Sequence, residues 1–228
     1  TSWLAKNFKR IVLREIENEP LKKAWTEIDA ASQDGIRNWK GDFTPTSRPA
    51  TLMQAWLRSL ENSTWSRMIG DPADHHWPGL WQFFELIDKY PDSEVWDDPA
   101  TSQQENLAFR LAESLKLTLA DFKTSFGSGT PAWSEYQPTI LNHAAKLPGF
   151  GRNVKAGGVA ESPFANKGTQ GPTWKLIVSF EDKPRAWSVI PGGQSGDPAS
   201  ASYDNRLEEW SRGEMRKVNF KMRESRAK

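Results

Sequence analysis

The sequence predicts an α+β chain in which helices come first and antiparallel strands follow. Two observations carry this. Over residues 1–147 apolar side chains recur at spacings of three and four between punctuated loops, as amphipathic helices require. From 148 to 228 glycines become frequent, and two short alternating runs flank a charged turn, the pattern of a β-hairpin. We therefore expect a mainly helical segment over 1–147 and a strand-rich segment with a terminal helix over 148–228.

Taken in order, Leu21, Trp25 and Ile28 form an apolar stripe for a helix starting near Pro20, with Gly35 as an interruption. In "TSRPATLMQAWLRSLENSTW", Ser47 has the short oxygen-bearing side chain of an N-cap and Pro49 fits the first turn. Leu52, Trp56 and Leu60 then line one face. "GLWQFFELIDKY" is a shorter helix stopped by Pro91. The longest helix lies in "DDPATSQQENLAFRLAESLKLTLADFKTSFG", where Asp97 and Asp98 suit a positive helix start. Leu107, Leu111, Leu115, Leu119, Phe122 and Phe126 keep its apolar face, and Gly127 ends it.

"TWKLIVSF" (173–180) and "RAWSVI" (185–190) read as strands joined by "EDKPR". Trp174, Leu176, Val178 and Phe180 give the first strand a largely apolar face, and Ile177 points to partial burial of the other. "ASYDNRLEEWSRG" reads as a short helix, and the basic stretch 212–228, diluted by Glu214 and Glu224, as a solvated tail.

A chain of 228 residues can bury a sizeable core. A net charge of +1 gives no global attraction to nucleic acid or to an acidic membrane surface. With no cysteine, disulfides, thiolate metal sites and cysteine nucleophiles are excluded. No apolar run is long enough to span a bilayer. The first residue is Thr1 rather than Met, so the chain is expected to begin at a cut. Twelve tryptophans fall mostly within amphipathic patterns, for example Trp25, Trp56 and Trp81, which favours core packing. Set in an exposed row they would instead make a non-catalytic carbohydrate- or peptide-binding module, the alternative function.

Four stretches invite a chemical reading. Ser195 in "PGGQSGDP" is the first, but Gly-x-Ser-x-Gly fails by one residue and no histidine follows His143. The same glycines could cradle a phosphate, yet no Gly-Lys-Ser/Thr accompanies them. The reading from residues alone is a tight structural turn. "GDPADHHWPG" holds Asp71, Asp74, His75 and His76, but adjacent histidines rarely converge on one ion. "YPDSEVWDDP" offers oxygen ligands without EF-hand order. Thr1 would be a nucleophile if its own amine served as base, though no strand pattern surrounds it.

The C-terminal third, "GPTWKLIVSFEDKPRAWSVIPGGQSGDPASASYDNRLEEWSRGEMRKVNF", closely resembles the end of the β-subunit of the penicillin acylase family. That family shows Gly-Pro-Ser-Trp-Arg before a strand, then Pro-Gly-Gly-Gln-Ser-Gly-Asn-Pro, then Tyr-Asp-Asp-Gln and a Trp. Gly171, Pro172, Trp174, Pro191, Gly192, Gly193, Gln194, Ser195, Gly196, Pro198, Tyr203, Asp204 and Trp210 fit it, while Lys175, Asp197 and Arg206 vary. Upstream, "LKKAWTEIDAASQDGIRNWKGDF", "VWDDPATSQQE" and "AWSEYQPTILNHAAKLPGFGRNVKAGG" are weaker echoes in the same order.

The resemblance implies a C-terminal fragment of a four-layered αββα N-terminal nucleophile hydrolase. Its activity would be cleavage of amides of N-acyl compounds such as penicillins, cephalosporin side chains or acyl-homoserine lactones. A Ser at the start of the β-subunit would attack, its amine acting as base and an Asn stabilising the oxyanion. Both groups are expected upstream of Thr1, so no catalytic or metal-binding residue is assigned here, and the isolated chain is expected to be inactive. Glu161 in "GGVAESPF" is the nearest counterpart of an acid that some relatives hold near the nucleophile; from its own surroundings it reads as a solvated loop acid. The implied partners are the remainder of the β-subunit and an α-subunit from the same self-cleaving precursor, with no cofactor in this chain and calcium only in the complete enzyme. The implied location is periplasmic or secreted.

Overall fold

The structure, a computed structural model, describes residues 2–219 except 128, 144, 163, 164 and 167. The chain is α+β and forms two compact units, Thr1–Tyr136 and Gln137–Lys228. The composition change at Leu147 falls inside the second.

The first unit is helical. Helix α1 (Trp3–Glu15) starts on Ser2, whose Oγ accepts from the Ala5 amide, and buries Phe8, Ile11 and Val12. The stripe after Pro20 is two helices rather than one. α2 (Leu21–Trp25) ends early, and the Asp29 carboxylate, accepting from the Ser32 amide, starts α3 (Ala30–Asn38). Gly35 lies within α3 and does not interrupt it. α4 (Arg48–Met68) has the expected Ser47 cap, its Oγ accepting from Ala50 N–H, with Pro49 in the first turn. α5 (Leu80–Lys89) stops before Pro91.

The longest-helix prediction needs one correction. α6 (Leu107–Phe126) begins on Asn106, not on Asp97 or Asp98. Those carboxylates are used in the preceding loop, Asp97 accepting from Glu105 N–H and Asp98 from Ala100 N–H. Gly127, at φ +84°, ends the helix as expected. Along α6 the stripe holds through Phe122, whereas Phe126 is exposed. A last helical turn, α7 (Trp133–Tyr136), completes the unit.

The core of this unit runs between α4 and α6. Trp56 is fully buried there, its Nε1 donating to Leu111 O at 3.0 Å and to Ser114 Oγ at 3.1 Å. Phe8 meets it edge-on at 5.7 Å. The hydrogen bonds matter because a buried indole N–H without a partner is costly. Seven tryptophans (25, 39, 56, 65, 96, 133 and 210) are buried across the two units, as spacing predicted for Trp25 and Trp56. Trp81 is a correction: it is 62% exposed and stacks on Trp3 at 5.0 Å. It faces outward because Phe83, Phe84 and Ile87 already fill the inner face of α5. That single pair is not a row of rings.

The second unit holds two small antiparallel sheets. β1 (Thr139–Leu141) pairs with β2 (Arg152–Val154). β3 (Lys175–Ser179) and β4 (Arg185–Val189) form the predicted hairpin, and β5 (Arg216–Val218) adds to β4, giving the order β3-β4-β5. The start of the expected solvated tail is therefore a strand. Two of its bases are paired with acids: Arg212 with Glu208 and Glu214, and Arg216 with Glu209 of α8 (Leu207–Arg212).

Candidate functional site

β4 runs out at Val189 into the glycine loop 191–196. The loop doubles back on residues 202–203: Gly193 N–H donates to Tyr203 O at 2.7 Å, and the amides of Gln194 and Ser195 donate to Ser202 O at 2.8 and 3.2 Å. A Cβ on Gly193 would lie 1.6 Å from Ser202 O, so only glycine permits the approach. Gly192 is less constrained, its Cβ meeting Tyr203 O at 3.7 Å, and Gly196 has open space around it.

These bonds decide between the readings of the loop. Three successive amides that would face an anion are consumed by carbonyls, so the loop is not a phosphate cradle. Ser195 Oγ accepts from the Asp197 amide at 3.1 Å, a serine turn with no histidine partner. Pro191 and Gln194 belong to the same turn, Gln194 exposed at its tip.

The 202–204 strip is in turn anchored to the passage around Gly149. Tyr203 Oη donates to Phe150 O at 2.6 Å, and its ring meets Phe150 edge-on at 6.1 Å. Arg152 lies 4.8 Å over the Tyr203 ring and donates from Nε to Asp204 Oδ2 at 2.6 Å. Its Nη1 also donates to Gly149 O and Gly151 O, both at 2.9 Å. Two segments that the sequence singled out separately are thus one contact.

Trp210 ties α8 to the start of β3. Its Nε1 donates to Pro172 O at 3.0 Å, and Gly171 lies against the ring, where a Cβ would meet Cζ2 at 3.5 Å. Lys175 donates from Nζ to Trp210 O at 3.1 Å and sits 4.3 Å from the indole. Trp210 packs with Ala156 and Val189, bordered by Leu141, Val154, Leu207 and Met215. Burial pushes the Lys175 amine down to about 8. The expected inward face of β3 is a correction: Trp174, Leu176, Val178 and Phe180 are all exposed, and Lys175 is buried instead. The reason is Trp210, which offers the ammonium a carbonyl and a π-face on that side.

Sequence reasoning missed Asn166. It is fully buried, donates from Nδ2 to Thr139 Oγ1 at 2.8 Å and to Gly157 O at 3.1 Å, and accepts from Gly168 N–H at 3.1 Å. A lone Asn in a polar loop carries no signal of that role. Glu161 lies half-buried in the turn between Val159 and Ser162. Thr1 lies outside the described residues.

Among the described residues no acid–base–nucleophile set assembles around Ser195. Among the described residues no group of three His, Cys, Asp or Glu could hold a metal ion. His75 and His76 are exposed, and the acids near Asp97 do not fit calcium: Glu105 turns inward to pair with Arg110. No described helix is long and apolar enough to cross a membrane. These contacts tie the glycine loop to residues 202 and 203, and α8 to the start of β3.

The sequence profile described as Penicillin amidase matches residues 1–227, and the chain belongs to that family. It is similar to acyl-homoserine lactone acylase QuiP of Pseudomonas syringae pv. tomato, at 26% identity over 94% of this chain and 30% of that protein. QuiP of Pseudomonas fluorescens is 29% identical over 84% of this chain and 27% of that protein. The thermostable penicillin G acylase of Alcaligenes faecalis matches at a TM-score of 0.49 and 13% identity, covering 96% of this chain and 44% of that one. The chain thus spans about 30% of the length of the first acylase it matches.

Two predictions follow from the geometry of the brace. Gly193→Ala is expected to destabilise the second unit by about 1–3 kcal/mol or more, because the loop must leave Ser202 O, whereas Gly196→Ala is expected to change little. Urea unfolding of the two variants side by side checks this; equal midpoints would contradict it. The second concerns pH. The folded pKa of Lys175, about 8, lies below its ordinary 10.5, so between those values the unfolded chain holds more protons. Stability contributed by this group therefore rises with pH across that window. Lys175→Met is expected to flatten the rise, which unfolding midpoints measured from about pH 7 to about pH 10 will show.

Proposed function

We propose that the chain is the C-terminal portion of an amidohydrolase that cleaves the amide bond of N-acyl compounds. The observation that carries this reading is the family match over residues 1–227. The names of the relatives, acyl-homoserine lactone acylases, favour an acyl-homoserine lactone as substrate. The structure is consistent with a supporting role: the family-motif residues meet as packing and hydrogen-bonding groups, not as a nucleophile with its base.

In this reading the complete protein has the four-layered αββα arrangement. Its nucleophile is an N-terminal Ser on polypeptide upstream of this portion, with an Asn side chain and a backbone N–H stabilising the oxyanion. Residues 191–196, Tyr203 and Trp210 frame the sheet that carries that site, and Glu161 is the counterpart in this portion of the acid that some relatives hold near the nucleophile. The partners are the remainder of the β-subunit and an α-subunit of the same precursor. Any calcium belongs to that remainder, and the complete enzyme acts in the periplasm or outside the cell.

Residues 1–228 alone are expected to hydrolyse neither N-acyl-homoserine lactones nor phenylacetyl amides, while the complete polypeptide hydrolyses at least one class. Product release from both preparations, followed by mass spectrometry, tests this. Turnover by the 228-residue chain that Thr1→Ala abolishes would overturn it and show a complete enzyme with an N-terminal Thr nucleophile.

A further inference from the structure

β3 is an edge strand: it pairs with β4 on one side and with no described strand on the other. Natural edges are protected by charges, prolines or a covering element, because unpaired N–H and C=O groups recruit other strands. Among the described residues β3 has none of these defences. Its one charged residue, Lys175, is turned in against Trp210. What it displays is Trp174 at 60% exposure, Leu176 at 44%, Ile177 at 54%, Val178 at 38% and Phe180 at 88%.

The distribution of these side chains identifies what covers them. Trp174, Leu176, Val178 and Phe180 make one side-chain face of the strand apolar throughout, and Ile177 adds an exposed apolar group to the other, between Lys175 and Ser179. An apolar strand face of this kind is ordinarily packed under another layer. Pairing β3 with the β3 of a second copy would occupy the edges and leave that apolar face bare. The occupant must supply an extended strand and an apolar layer together. A protein of which this chain is about 30% of the length, as in its relatives, has polypeptide to provide both.

We propose that the free edge of β3, from Trp174 to Phe180, is the surface on which the remainder of the amidase polypeptide docks, by adding a strand beside β3 and packing apolar side chains on Leu176 and Val178. This rests on the reading of the chain as one portion of a longer amidase. Strand addition gains affinity from main-chain hydrogen bonds and specificity from the alternate side chains. The bare strand is the seam between the part of the enzyme that braces and the part that reacts.

The test compares hydrogen exchange of β3 peptides in residues 1–228 alone and in the complete amidase polypeptide. Exchange is expected to be fast in the first and slower by about tenfold or more in the second. In parallel, residues 1–228 carrying Leu176→Lys and Val178→Lys are co-expressed with the remaining polypeptide. Assembly is expected to fall by about tenfold while the unfolding temperature of the 228-residue chain is unchanged. Leu117→Lys, on the exposed side of α6, is the control and should assemble normally. Equal exchange in the two forms, or normal assembly of the double variant, would overturn the proposal. So would protection of β3 in the short chain that grows with concentration as dimers form, since the occupant would then be a second copy. Amide hydrolysis is scored separately: a protected β3 in an assembly without turnover supports the surface and rejects the enzymatic reading, and turnover with an unprotected β3 does the reverse.

Discussion

Gly193 stands so close to the Ser202 carbonyl that a side chain there would overlap its oxygen, and the second unit is arranged around that approach. The approach lets three successive amides bond back to residues 202 and 203, which fixes where the chain leaves β4. Tyr203 and Asp204, held in place by it, are then gripped by Phe150 O and Arg152. A few residues on, Trp210 closes the circuit by bonding Pro172 O and receiving Lys175. Each contact presupposes the one before, so the motif is best understood as a single clamp whose first member must be glycine.

The clamp explains why β3 is presented as it is. Lys175 is drawn inward by the Trp210 carbonyl and ring, and the alternation of a strand then sends Leu176 and Val178 to the opposite face. An ammonium in that position is partly desolvated, which is costly by itself, and the carbonyl and the indole offset the cost. An apolar strand face turned to solvent is equally costly. Both features make sense if the brace stabilises one register of a strand that other polypeptide covers.

Much of the fold was legible wherever the signal was local. Ser47 with Pro49, Gly127 and the "EDKPR" turn act through their own backbone geometry, and each does in the structure what its residue type dictates. Where several residues could do the same job, sequence chose wrongly: Asp97, Asp98 and Asn106 can all cap, and only the loop bonds of the two aspartates decide among them. Helix α1 carries a local signal too, in Ser2 followed by Phe8, Ile11 and Val12. The three-residue strands β1 and β2 are too short to show a period. The faces of β3 were assigned by alternation alone, yet which face is inside depends on Trp210, more than thirty residues away. In the candidate site the motif residues were visible as a string, but their meeting with Phe150 and Arg152 is a tertiary fact, and Asn166 gave no sign.

The central claim is that residues 191–196 brace and do not react. Ser195→Ala in the complete amidase polypeptide tests it most directly, because it removes the one side-chain hydroxyl of the loop and, with it, only a turn hydrogen bond from the Asp197 amide. The account predicts that kcat/KM for an N-acyl amide stays within about threefold of the parent, with an unchanged unfolding temperature. A loss of about a thousandfold or more in a variant that folds normally would contradict it.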